Sequence, residues 1–287
     1  MLQCKTYIIF CIFLVNTVVF GNLIRPAYGE ELNYIYVFFE WEQEPDAMWY
    51  NLQVSTQQSF NNLFLDISET TTVYIDKDNF NWNDDYYWRV RPIYNDGSSG
   101  SWIESSYFST RETILTELDV NIYNDDLIQD GLIMYSQFSP YVAVGVIDKL
   151  GNEIWNTEDV YMNHINGYGQ LYGVNGQGIQ FNYDLEILWT TPLGTDIDGH
   201  EVKQIPNGNY MAFVPIFEMG PIPQGDWTEL FQASGYTADG VTIEFPWMGL
   251  RVVEFDKETS QEVWSWDPFE HFTMDDHDLY GGILWGA

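Results

Sequence analysis

The sequence predicts an all-β protein in two regions, a two-sheet sandwich followed by a partial ring of repeated sheets. Apolar and polar residues alternate with period two in the first region: Tyr50, Leu52 and Val54 against Asn51, Gln53 and Ser55, then Tyr86, Trp88 and Val90 against Tyr87, Arg89 and Arg91. That period gives strands with one buried face. In the second region a hairpin pattern recurs at Ile147–Trp155, Phe181–Trp189 and Phe255–Trp264: an apolar strand end, a polar turn, and a returning strand closed by an aliphatic residue and Trp. A hairpin cannot bury its own apolar face, so such copies must stack on one another. Hydrophobic residues make up 45% and aromatics 17% of the 287 residues, ample for packed cores, and no long stretch beyond the N-terminus has helical periodicity.

Along the chain, Lys5 precedes an apolar run from Tyr7 to Phe20, and Val19 with Gly21 satisfies a small-residue cleavage rule. This pattern predicts a secretory signal peptide over residues 1–21 and a periplasmic or secreted protein. The alternative is an uncleaved N-terminal anchor. Cys4 and Cys11 both lie in this segment, so cleavage would leave no thiol for catalysis, disulfides or cysteine-ligated zinc.

Residues 30–110 read as a separate domain. Strands at this spacing, with the Asn95-Asp96-Gly97 turn and a final strand from Trp102 to Phe108, suggest an immunoglobulin-like sandwich. The order Phe39, Trp41, Tyr50–Ser55, Phe60, Tyr86–Arg91, Gly97, Trp102 and Phe108–Thr110 resembles the fibronectin type III-like domains of secreted enzymes. Trp41 and Trp88 fall on the apolar side of their alternation, which favours the core over carbohydrate stacking. A connection without Pro or Gly spans 109–120, and the repeats occupy 113–287.

Within the repeats, Gly131–Tyr135 and Tyr141–Ile147 read as strands, followed by the Gly-rich 167–178 and the Asn207-Gly208 hairpin. Gly220–Gly240, with Pro221, Pro223 and Trp227, reads as a functional loop, and Trp247–Phe255 as a strand. At about 45 residues per unit this region makes roughly four propeller blades. No further strand closes a ring, which predicts the N-terminal portion of a longer, truncated protein, inactive by itself.

The formal charge of −33, from 43 acidic and 10 basic residues, argues against nucleic acid and anionic lipid surfaces as partners. A solvated acidic surface explains it. Clusters such as Asp125-Asp126 with Asp130, or Asp196 with Asp198, offer oxygen ligands for calcium but lack EF-hand spacing.

Asp198-Gly199-His200-Glu201 opens a strand that runs to Ile205-Pro206-Asn207-Gly208-Asn209, and Val263-Trp264-Ser265-Trp266-Asp267 precedes Phe269-Glu270-His271-Phe272. This ordered set, over roughly 113–287, resembles the arylsulfotransferase family of β-propellers. The resemblance implies a partial β-propeller after the sandwich, with sulfuryl transfer from an aryl sulfate ester to a phenol through axial histidines and an arginine and no metal or nucleotide cofactor. It implies that His200 faces the axis as a catalytic residue. Gly199 and Glu201 depart from the usual His-His-Asp pattern, and Glu270 stands where Asp is usual.

Histidine changes protonation near neutral pH and can act as nucleophile or as acid and base, while cations bind sulfate oxygens. Of the four histidines, His164 could line the same funnel as a substrate-binding residue, His271 reads as packing, and His277 lies among Asp275, Asp276 and Asp278. Arg251 and Lys203 are the candidate sulfate binders, although alternation sets Lys203 on the opposite strand face from His200. The competing class is a secreted β-propeller binding or adhesion protein without catalysis. A quinone-dependent propeller dehydrogenase is disfavoured, since no tryptophan-docking motif recurs and no vicinal cysteines occur.

Overall fold

The computed structural model describes residues 21–115, 120–124, 126–139 and 141–272. The signal-peptide segment, both cysteines, Asp125, His277 and the apolar end of the chain lie outside the described residues. The described chain is all-β apart from one short helix and a 3-10 turn, and it divides into two compact units, Met1–Glu112 and Thr113–Ala287.

The first unit has eight strands: β1 (Leu23–Arg25), β2 (Glu30–Leu32), β3 (Val37–Trp41), β4 (Ala47–Ser55), β5 (Leu65–Glu69), β6 (Val73–Asp76), β7 (Asp85–Tyr94) and β8 (Ser106–Thr110). They form two sheets, β1-β3-β6 and β2-β8-β7-β4-β5. Alternation on β7 buries Tyr86, Trp88 and Val90 while Arg89 and Arg91 point outward. Phe39 on one sheet meets Trp88 at 5.1 Å and Phe108 at 6.0 Å on the other, so aromatic rings join the two layers. Trp41 and Trp88 are core residues. The sandwich starts ahead of residue 30, because Leu23 on β1 pairs with Trp41 on β3. The Arg89 guanidinium lies 4.1 Å from both the Phe60 and the Trp102 ring, so a cation covers the aromatic surface on that face.

The second unit holds three antiparallel sheets among the described residues, where the repeat length predicts about four. Sheet I comprises β9 (Ile133–Gln137), β10 (Ala143–Ile147) and β11 (Glu153–Glu158). Sheet II comprises β12 (Tyr161–Ile165), β13 (Leu171–Val174), β14 (Gly178–Phe181) and β15 (Ile187–Thr190). Sheet III comprises β16 (Val202–Gln204), β17 (Tyr210–Pro221), β18 (Ile243–Phe255) and β19 (Glu262–Trp266). The count falls short because β17 and β18 run far past their neighbours as a long hairpin, which consumes the residues of another repeat.

The three repeated hairpins are β10–β11, β14–β15 and β18–β19, the last two strands of each sheet. Each carries a register shift at the same place, at Val146/Ile147, Gln180/Phe181 and Glu254/Phe255. Each turn is tied by one side-chain oxygen: Asp148 Oδ1 accepts the Leu150 and Asn152 N–H groups, Asn182 Oδ1 those of Asp184 and Glu186, and Asp256 Oδ1 those of Glu258 and Thr259. The repeat in the sequence therefore encodes a turn and a bulge.

The closing tryptophans link the sheets. Trp155 Nε1 donates to the Tyr183 carbonyl of sheet II at 2.7 Å, and Trp189 of sheet II stacks on Tyr210 of sheet III at 3.7 Å. Tyr172, Trp189, Val202, Tyr210, Ala212, Val253 and Phe255 form one core between sheets II and III. The far face of sheet I is covered by the connecting segment. Leu115 lies over Gly145 and leaves no room there for a Cβ, and the N–H groups of Ile114 and Leu115 bond the Glu153 carboxylate at 3.2 and 3.0 Å.

Gly220–Gly240, expected as a loop, instead takes in the end of β17 and most of a folded tip on the long hairpin, 222–242. It contains helix α1 (Thr228–Ala233), and Ile222, Phe231 and Ala238 pack with Trp227, Tyr236 and Phe245. A helix of under two turns leaves no periodic signal to read.

Candidate functional site at the openings of β12 and β16

Sheets II and III share one register around their first turns. Ile165 pairs with Leu171 as Gln204 pairs with Tyr210, and Gly169 (φ 77°) and Gly208 (φ 92°) occupy the same left-handed place in the following turn. By chain position, counting back from these glycines sets Asp159-Val160-Tyr161 against Asp198-Gly199-His200, and a register shift between Met162 and His164 in β12, which β16 lacks, displaces the pairing there by one residue. His164 then corresponds to Lys203, three residues along from His200, and not to His200 itself. Sheet I shows no counterpart of β12 or β16 among the described residues: β9 pairs with β10 as β13 does with β14.

At the opening of β16, the Asp198 N–H is anchored on the Phe213 carbonyl at 2.9 Å. Asp198 Oδ1 accepts the His200 backbone N–H at 2.9 Å and contacts His200 Nδ1 at 2.6 Å. A carboxylate at Nδ1 selects the tautomer protonated there and leaves Nε2 as the open position of the ring. The His200 side chain is 82% exposed and that of Asp198 20%, so a half-sheltered carboxylate orients an imidazole that reaches solvent. Asn163 on β12 joins the two openings, donating from Nδ2 to the Gly199 carbonyl at 3.1 Å and accepting the Val202 N–H at 3.4 Å. The Tyr161 ring lies 3.4 Å from where a Cβ on Gly199 would stand, and Phe138 packs on that ring at 4.6 Å.

The remaining candidates have other partners. His164 is exposed on β12 with its ring 5.6 Å from Tyr172. Arg251 stands opposite Val214 on β18 and pairs with Glu262 of β19, its Nε buried without a hydrogen bond. Lys203 pairs with Glu201. For either cation to bind a sulfate, its carboxylate partner must give way. His271 stacks flat on Trp266 at 5.2 Å, a packing role. Among the described residues no group of three His, Cys, Asp or Glu side chains could hold a metal ion.

Tyr161 and Asn163 are the site residues that sequence reasoning missed. Their signal is the fixed spacing from Asp to the turn glycine, 159 to 169 and 198 to 208. The same lead-in recurs at Asp275-Asp276-His277-Asp278-Leu279, outside the described residues.

No family model and no curated protein matches the chain. Among solved structures it is similar to a protein of unknown function from Bacteroides caccae, at 9% identity, 77% coverage of this chain, 73% of that one, and a TM-score of 0.25. A score at that level carries no argument about fold or function.

Proposed function

We propose that the second unit serves histidine-based sulfuryl transfer from an aryl sulfate ester to a phenol, outside the cytoplasm and without a metal or nucleotide cofactor. The observation that carries this reading is the Asp198–His200 pair, with Nε2 open to solvent at a strand opening. In such a reaction the acceptor phenol gives its proton to Nε2 as its oxygen attacks sulfur. The bond from sulfur to the donor's aryl oxygen breaks, and the departing phenolate takes the proton back. Asp198 holds the ring and stabilises the transient imidazolium. Removing such an acid–base group costs on the order of 100-fold in rate. The test is turnover of a nitrophenyl sulfate with a phenol by the full-length gene product. His200→Ala should depress turnover about 100-fold at unchanged far-UV dichroism, whereas His271→Ala should matter little. Full turnover in a folded His200→Ala protein removes the residue from the chemistry.

A second reading, a secreted binding protein without catalysis, is favoured by one feature: Phe217, Met219 and Met248 on the long hairpin of sheet III are well exposed. Absence of any sulfuryl transfer in the full-length product would leave that reading standing.

A further inference from the structure

Cations are scarce in this chain, 10 Lys and Arg against 43 acidic side chains. Among the described residues Arg111 pairs with Glu31, Lys149 with Asp130, Lys203 with Glu201 and Arg251 with Glu262. Arg89 and Arg91 break that pattern. They stand two residues apart on the outer face of β7, in the five-stranded sheet of the first unit, and among the described residues neither forms an ion pair with a carboxylate. Their bonds go to amides instead. Arg89 donates from Nε and Nη2 to Gln53 Oε1 at 3.1 and 2.8 Å, and Arg91 from Nε to Asn51 Oδ1 at 3.2 Å. One carboxylate orients both amides: Asp66 accepts from Gln53 Nε2 at 3.1 Å and from Asn51 Nδ2 at 2.7 Å, which turns each amide oxygen towards an arginine. The Trp102 ring holds both guanidinium groups, at 4.1 and 4.4 Å. Burial and the neighbouring Arg91 charge hold the Arg89 pKa below the ordinary arginine value. Two like charges are thus fixed side by side, and among the described residues no acceptor takes the Nη protons of Arg91.

A row of tyrosines leads up to the arginines on the same face. Tyr87, two residues before Arg89, pairs across to Tyr107 on β8, and the Tyr107 ring meets that of Tyr87 at 5.6 Å and that of Tyr28 at 5.9 Å. Tyr28 is 80% exposed. Rings with apolar faces and hydroxyl tips therefore adjoin two guanidinium groups that lack an anion. We infer that this face of the first unit binds a sugar bearing one anionic group, a carboxylate or a sulfate ester, with the anion on Arg91 and Arg89 and the sugar ring against the tyrosines. The planar fork of a guanidinium matches two oxygens of either group with parallel N–H bonds. A pyranose supplies the rest, a face of C–H groups for an aromatic ring and hydroxyls for the phenol tips. The net charge limits the ligand to a single such group. At −33 the chain repels a polyanion, whereas one anion in contact with two cations is governed by those neighbours, since salt screens charges beyond about 8 Å. The site does not depend on the chemistry of His200.

The test is titration calorimetry on the full chain with sialyllactose (one carboxylate), lactose sulfate (one sulfate ester), lactose (uncharged) and N-acetylglutamate (carboxylates without a sugar). At least one of the two anionic sugars should bind about tenfold or more tighter than lactose, the difference made by one charge-assisted hydrogen-bonded pair, and the tighter of the two identifies the anion. Arg91→Gln should abolish that preference, and Arg91→Lys, which keeps the charge but not the fork, should restore part of it. Tyr28→Ala, on an exposed ring outside the arginine ladder, should weaken the anionic sugar by a factor of about three to ten at unchanged dichroism. Lys77→Gln removes an exposed cation that follows β6 in the other sheet and should change nothing. Equal binding of lactose and both anionic sugars, or no binding of any, overturns the inference. So does N-acetylglutamate binding as tightly as the anionic sugars, which would make the face a site for any carboxylate. Should Arg91→Gln fail to fold, undiminished binding by Tyr28→Ala overturns it alone.

Discussion

Trp189 and Trp264 close equivalent hairpins in neighbouring sheets, yet the first lies in a core and the second half in solvent. The two hairpins share their bulge, their turn chemistry and their closing tryptophan. They differ in what stands opposite. In sheet II that is Tyr210, stacked 8° from parallel, its hydroxyl donating to Gln180. Opposite Trp264 no sheet stands among the described residues. The stability of such a row is lodged in its interfaces more than in its repeats. The first unit is different in kind, because its two sheets enclose Trp41, Trp88 and Phe108 with no neighbour required.

The largest effect should come from cutting the two tryptophans to alanine. Trp189→Ala empties a packed core position and should cost about 3–5 kcal/mol, as truncation of a buried aromatic does. Trp264→Ala should cost less than about 1 kcal/mol, as for a surface position. Urea unfolding followed by dichroism gives both values. Equal costs would mean that the outward face of sheet III is covered after all, and the contrast between the two sheets would collapse.

A smaller loss should follow Tyr210→Phe. Burial pushes the Tyr210 phenol up to about 12, so it stays a neutral O–H donor to Gln180 across the whole working range. Deleting the hydroxyl keeps the stack on Trp189 and strands a buried amide oxygen, which costs about 1–3 kcal/mol. Met211, the outward neighbour of Tyr210 on β17, makes no such bond, and Met211→Leu should shift the urea midpoint little. A neutral Tyr210→Phe would show that stacking alone joins the sheets.

How much was legible in the sequence follows from the range of the signals. Period-two alternation and the Trp-closed hairpins are local, so the all-β class, both regions and the burial of Trp41 and Trp88 could be read from neighbouring residues. The number of sheets could not. Nothing within β17 or β18 says that a strand continues past its neighbours, and a six-residue helix inside an insertion leaves no period. The Asp198–His200 pair was half legible: the motif marked His200, while the contact depends on a turn that brings both groups to one oxygen. His164 was grouped with His200 because it precedes the Gly-rich 167–178 and could line the same funnel, and only the shared place of Gly169 and Gly208 sets them three residues apart. The partner of Arg251, Glu262, lies on the next strand and was not legible, whereas Glu201, two residues before Lys203, shares its side by alternation and could have been read.

The smallest expected effect turns on one atom group that separates the equivalent positions Gln180 and Glu254. Sheet II has an amide there and sheet III a carboxylate, bonded by Asn209 at 2.7 Å and Asn207 at 2.9 Å, which hold its pKa below the ordinary glutamate range. A carboxyl whose folded value is depressed contributes stability above its unfolded value and loses that contribution as pH falls through the folded value. The group is at the surface, so the effect is small and screened by salt. Glu254→Gln copies the sheet II residue and removes the titration while keeping an oxygen acceptor. The variant should be slightly less stable than the parent at pH 7, and the gap should close as pH falls to about 3, below the reference glutamate value. Urea midpoints for the pair at pH 7, 5 and 3 measure it at constant ionic strength. Parallel profiles at all three values would show that Asn207 and Asn209 bond the charged and neutral forms alike, and that the two sheets differ only in what covers them.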